Sequence, residues 1–186
     1  MPSGAPQPGP RSKKPKPLDL NGLLDYSARV LAVRSQTTAE MRGKLLRRAA
    51  DRNDVDEALR RLAENGFLND QKLAESFANW RRDNEGFGKH RVLRDLLARR
   101  IAPEVARKAA DSAYSATDEN AMIRQYLERK FRGKDLHELL QEEKHLASAY
   151  RRLRTAGFSS AGSIRVLKGY ASQAEDLGDL EETPPE

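Results

Sequence analysis

The sequence predicts an all-α protein, three tandem three-helix repeats forming an elongated curved body. Three observations carry the prediction. Apolar residues recur at helical spacing along most of the chain, no convincing run alternates with period two, and one ten-residue pattern returns three times. With 186 residues and 38% hydrophobic content, the chain can bury one or two modest cores.

Residues 1–19 are rich in proline, glycine and lysine, have little to bury, and are expected to form a disordered basic arm. A first helix then carries the stripe Leu24, Ala28, Leu31. Thr37 with Glu40 three residues on is a capping-box pattern that opens a second, and Val55, Leu59 and Leu62 mark a third. The stretch "ENGFLNDQKLAESF", Glu64 to Phe77, ends that helix and starts another almost at once. Gly66 suits the left-handed residue after a helix, and Asn69 or Asp70 can cap the next. Phe67 and Leu68, caught between these signals, are expected to be buried, so that Phe67→Ala would cost about 3 to 5 kcal/mol.

Leu73, Phe77 and Trp80 supply the following stripe, which reads Trp80 as core rather than as a nucleobase platform. "GFGKHR" is a turn before a helix bearing Val92, Leu93, Leu96 and Leu97, and Pro103 fits a first-turn position. Met122, Ile123, Tyr126 and Leu127, then Leu146, Ala149, Tyr150 and Leu153, then Ile164, Leu167 and Tyr170 complete the helices. The acidic tail, 174–186, is expected to be disordered.

Setting "MRGKLLRRAA", "VLRDLLARRI" and "AYRRLRTAGF" beneath one another aligns Met41, Val92 and Ala149, then Leu45, Leu96 and Leu153, then Ala50, Ile101 and Phe158. Each copy has room for about three helices, which gives triplets at 20–68, 69–116 and 117–173. Small units of this kind share core at their seams. Helices of roughly 20 Å would give a body about 60 to 80 Å long.

Composition narrows the chemistry. Cysteine is absent, which excludes disulfides and thiolate metal sites. No apolar run approaches a membrane span, and the opening "MPSGAPQPGPRSKKPKP" lacks the apolar segment of a secretory signal, so a cytoplasmic protein is expected. The net charge is +6, yet Glu175, Asp176, Asp179, Glu181, Glu182 and Glu186 lie together at the end, leaving the body more cationic and suited to a polyanionic partner. No GxxxxGK[ST] phosphate loop occurs. His137, Gln141 and His145 share one helix face without a convergent third ligand, and read as surface residues. No catalytic residue, metal or cofactor is assigned, and a monomer is expected.

"ALRRLAENGFLNDQKLAESFANWRR", followed by "GFGKHRVLRDLLARRIAPEVARKA" and later "RRLRTAGFSSAGSIRVLKGY", resembles the RecX family of bacterial recombination regulators over nearly the whole chain between the tails. The sequence departs from the family pattern where a glycine is usual before the second helix's closing apolar residue, having Ala49 in the first copy and Arg100 in the second. The resemblance implies a non-enzymatic partner of RecA, the ATP-dependent recombinase that coats single-stranded DNA. It implies restraint of RecA filament growth, ATP turnover and strand exchange, and so a place in DNA repair, homologous recombination and the SOS response.

The densest cationic segment holds Arg81, Arg82, Lys89, Arg91, Arg94, Arg99 and Arg100 against Asp83, Glu85 and Asp95. These seven are the candidate partner-binding residues, for acidic RecA surface or DNA phosphates. The competing reading is a solvated face with internal pairs such as Asp95 to Arg99. Two further clusters, Arg42, Lys44, Arg47 and Arg48, and Arg151, Arg152 and Arg154, rank below it. An alternative function is a helix-turn-helix DNA-binding protein, since three helices plus arginines also describe that motif.

Overall fold

The computed structural model of the protein describes residues 16–181, and side chains as far as residue 177. These residues form ten α-helices, with a single isolated bridge, Leu18 to Ala49, as the only extended pairing among them. They fall into two compact units that meet in sequence at Leu68 and Asn69.

The first unit holds α1 (Leu20–Val33), α2 (Thr38–Leu46) and α3 (Arg52–Glu64). Each starts where a short polar side chain accepts an amide of the first turn: Asp19 from Gly22, Thr37 from Glu40, and Asp51 from Asn53. The Thr37–Glu40 box is reciprocal, with bonds of 3.0 and 2.9 Å. The core is Leu23, Met41, Leu45, Val55, Ala58, Leu59, Leu62 and Leu68.

Three expectations for this unit need correction. The buried face of α1 is Leu23 and Ser27, one residue round from the expected stripe. Leu24 and Leu31 are half-buried and Ala28 is exposed. Serine can occupy the core because its hydroxyl donates to the Leu23 carbonyl at 2.8 Å. Order also begins before residue 20, since Leu18 donates to Arg48 O and accepts from Ala50, at 2.7 and 2.8 Å. The rest of the expected arm, residues 1–15, lies outside the described residues. The third correction is Phe67, which is 66% exposed while Leu68 is buried. Gly66 (φ +74) donates to Ala63 and Phe67 donates to Leu62, the paired bonds of a Schellman ending. Leu68 also donates to the Leu62 carbonyl, at 3.1 Å, and it is Leu68 rather than Phe67 whose side chain enters the core.

The second unit opens with α4 (Asp70–Trp80), capped by Asn69 accepting from Lys72, and runs through a π-helical turn, Arg81–Glu85, to left-handed Gly86. α5 (Lys89–Ala98) and α6 (Pro103–Tyr114, proline in its first turn) complete a triplet. Ala74 and Ala78 of α4 pack with Val92, Leu96, Ile101, Ala106 and Ala109. Burial on alanines leaves no room for an indole: Trp80 is 50% exposed, not core, because the buried row is 74/78 rather than 73/77/80.

The last triplet is α7 (Glu119–Lys130), α9 (Glu143–Ala156) and α10 (Ser160–Lys168), with a short α8 (Leu136–Leu139) inserted. Its core includes Ile123, Leu127, Leu146, Tyr150, Leu153, Phe158 and Leu167. The inserted turn separates His137 in α8 from His145 in α9, so the expected shared histidine face does not form. Instead the His137 ring lies 4.9 Å from that of Tyr170, whose carbonyl accepts from Gln141. The tail also stays ordered past residue 173, because a 3-10 segment, Ser172–Glu181, carries Ala174 and Leu177 into this core. Residues 182–186 lie outside the described residues.

The second helices of the last two triplets end alike. Arg100 donates to Leu97 and Ile101 to Leu96; Gly157 donates to Arg154 and Phe158 to Leu153. Ile101 and Phe158 are buried, and Arg100 (φ +61) stands in the left-handed position that Gly157 (φ +92) fills in the next copy. The first triplet departs: Arg48 and Ala49 both donate to Leu45, and Ala50 is exposed. Between the last two triplets, Gly88 donates to Ala156 O at 2.9 Å and His90 to Gly157 O at 3.1 Å. A Cβ on either glycine would overlap the opposing backbone.

Candidate partner-binding surface

The turn from α4 to α5 gathers the predicted cations around two phenylalanines. Arg81, only 18% exposed along its side chain, pairs with Glu85 and, at 2.5 Å, with Asp95. Its guanidinium lies 5.2 Å from the Phe77 ring centre and 5.0 Å from that of Phe87. Arg99 stacks over Phe77 at 5.7 Å and Arg91 over Phe87 at 4.0 Å, so cations and rings alternate as Arg99, Phe77, Arg81, Phe87, Arg91. Asp95 thus receives Arg81, with Arg91 further off at 3.9 Å.

The remaining members are held separately. Arg82 donates to the Ala113 carbonyl and pairs with Asp83, whose carboxyl it holds below the ordinary aspartate value. Lys89 pairs with Asp111 at 2.6 Å, and Arg94 donates to the Thr155 carbonyl at 3.2 Å. The Arg100 side chain is exposed and makes no polar contact among the described residues. Tyr114 donates its hydroxyl to Phe87 O at 2.5 Å, and burial pushes its pKa up to about 12, so it remains a neutral donor at physiological pH. The sequence segment thus becomes a surface, but Arg81 and Arg82 brace the turn, and the outward charge belongs mainly to Lys89, Arg94 and Arg100.

The lower-ranked clusters also divide. Arg42 pairs with Asp56, and Arg48 lies over the Tyr26 ring. Arg154 donates to Phe158 O, whereas Arg151 and Arg152 make no side-chain ion pair or hydrogen bond among the described residues. One feature escaped the sequence reading altogether. In the first unit, Leu24, Ala28, Leu31, Leu62 and Phe67 line an open apolar groove of ≈ 540 Å³. Its signal was the excess of apolar residues on α1, wider than one buried stripe requires.

Among the described residues no three histidine or carboxylate groups converge as a metal site would require, and no helix is long and apolar enough to cross a membrane. Fold and surface define a class: all-α proteins built of successive three-helix units with charged helix faces. Residues 69–109 match the family model described as RecX, second three-helix domain. The chain is 33% identical over 145 residues to a regulatory protein RecX of Ectopseudomonas mendocina, covering 75% of this chain and 89% of that one. It is 30% identical over 157 residues to one of Halorhodospira halophila, covering 83% and 91%. A match to the Deinococcus radiodurans regulatory protein RecX is 39% identical over 102 residues, spanning 55% of this chain and about half, 48%, of that relative. The crystal structure of RecX from Lactobacillus salivarius shares the fold at a TM-score of 0.62 and 15% identity, over 82% of this chain and 96% of that one. The chain belongs to the RecX family.

Proposed function

We propose that this protein is a non-enzymatic regulator that binds RecA filaments on single-stranded DNA and restrains their ATP turnover, growth and strand exchange, acting as a cytoplasmic monomer. The observation that supports the reading is the family match along most of the chain, which joins the three triplets to proteins named as regulators. The fold agrees physically. Each triplet has its own apolar core and so can hold a rigid helix face toward a partner. Lys89, Arg94 and Arg100 are the outward cations of the central turn, available to acidic RecA side chains or filament phosphates.

Mixing purified protein with RecA, ATP and single-stranded DNA tests the reading. Substoichiometric protein should lower RecA's ATP turnover without hydrolysing ATP itself. Unchanged turnover at saturating, folded protein would remove the proposal's support.

A further inference from the structure

While the arginines of the central turn are largely engaged with carboxylates, carbonyls and rings, those of the last triplet are not. Ser148, Arg151, Arg152 and Thr155 recur at the i, i+3, i+4, i+7 spacing that places residues on one face of α9. With Tyr126 and Lys130 of α7 they line an open basin of ≈ 360 Å³ that contains no carboxylate. Tyr126 forms its floor, 7% exposed and held edge-on to Phe158 with ring centres 5.6 Å apart. Lys130 lies 5.7 Å from the Tyr126 ring centre. Lys130, Arg151 and Arg152 have no ion pair among the described residues. Arg94 donates to the Thr155 carbonyl, bringing a fourth cation to the edge.

We propose that the basin between α7 and α9 is a binding site for the phosphodiester backbone of single-stranded nucleic acid. Lys130, Arg151 and Arg152 supply the charge, and the Ser148 hydroxyl supplies a neutral donor. Charge arithmetic favours a polyanion over an acidic protein surface. An exposed arginine gains little from one carboxylate, whereas each neutralised phosphate also releases condensed counterions. Several unpaired cations with no acidic neighbour build a positive potential that concentrates such a chain. The inference does not rest on the RecA reading, because its test contains no RecA.

The test measures binding of labelled oligothymidylate to the full chain across a salt series, for the natural protein and two triple variants checked for helicity. One variant is Lys130→Ala, Arg151→Ala and Arg152→Ala. The other is Arg29→Ala, Arg34→Ala and Arg52→Ala, which removes the same charge from exposed arginines of the first unit. The basin variant should lose roughly a hundredfold in affinity at about 50 mM salt, with a log–log salt slope shallower by about two, and the control should lose far less. Because all three basin side chains are exposed, single Arg151→Glu and Arg152→Glu variants give an independent reading and should each weaken binding. Equal losses in the two triple variants would reduce the effect to net charge and overturn the site. So would unmeasurable binding by the natural protein at low salt. Competition by polyglutamate as strong as that by the oligonucleotide would assign the basin to an acidic protein surface instead.

Discussion

The amide of His90 donates to the carbonyl of Gly157 at 3.1 Å, so the first turn of α5 is capped by the end of α9. Gly88, at the N-cap, has no side chain to satisfy these amides, and a backbone carbonyl some seventy residues away does so instead. Gly88→Ala would thrust a methyl group into the Gly157 carbonyl. A loss of about 2 to 4 kcal/mol in urea unfolding is expected, near the upper end for overpacking because both sides are backbone and cannot repack. A loss below about 0.5 kcal/mol would show that the two turns do not touch in solution.

Phe67 and Leu68 should separate cleanly. Leu68→Ala removes a buried side chain and is expected to cost about 2 to 4 kcal/mol, while Phe67→Ala removes a mostly exposed one and should cost less than about 1 kcal/mol. Equal losses would contradict the placement of Leu68 in the core and Phe67 outside it.

Arg100 occupies a left-handed conformation that costs a side-chain-bearing residue roughly 1 kcal/mol. Arg100→Gly should therefore raise stability by about 0.5 to 1 kcal/mol, with the opposing entropy of glycine in the unfolded chain included. Unfolding midpoints measured at constant slope decide the sign.

Arg81→Ala should behave as a stability variant rather than a binding variant. It removes the cation between Phe77 and Phe87 and takes an ion-pair partner from Glu85 and Asp95, both less than a third exposed. A loss of about 2 to 4 kcal/mol is expected from breaking a partly buried pair, moderated by the solvent that still reaches it. Unchanged thermal stability would return Arg81 to the list of outward, partner-facing cations.

Glu57 receives Arg60 and Arg61, and the first of these bonds most strongly holds its carboxyl at about 2 rather than 4.5. A lowered folded-state value gives stability that is complete above pH about 4.5 and lost as pH falls through about 2. The groups are exposed, so salt should shrink the effect. A carboxyl titration followed by NMR is expected to centre near 2 at low salt, and a midpoint at the ordinary glutamate value would mean the pairs do not persist.

Helix existence was legible because apolar spacing and caps are local: Thr37 with Glu40, Gly66, Asn69 and Pro103 all act within one turn of where they stand. What sequence could not specify was set by distant partners. Which of two adjacent leucines on α1 faces inward depends on where α2 and α3 arrive, and Trp80 is displaced because α4 meets α6 through alanines. The central cations were found as a group, but their division into braces and outward charges depends on Phe77, Phe87, Asp111 and Ala113, which lie on several elements. The basin on α9 was visible only as three arginines, because Lys130 arrives from α7 and Arg154 turns away to Phe158.

The seam at Gly88 and Gly157 also bears on how the chain can diversify. Its bonds are made by main-chain atoms, which every residue carries, and its steric demand is met by two missing methyl groups. The side chains flanking it, Lys89 and His90 on one strand of the junction and Thr155 on the other, are exposed and can be exchanged without reshaping the contact. A backbone contact at two positions thus helps to mate two whole triplets, and the charge displayed around it is left open to be tuned to whatever surface the protein meets.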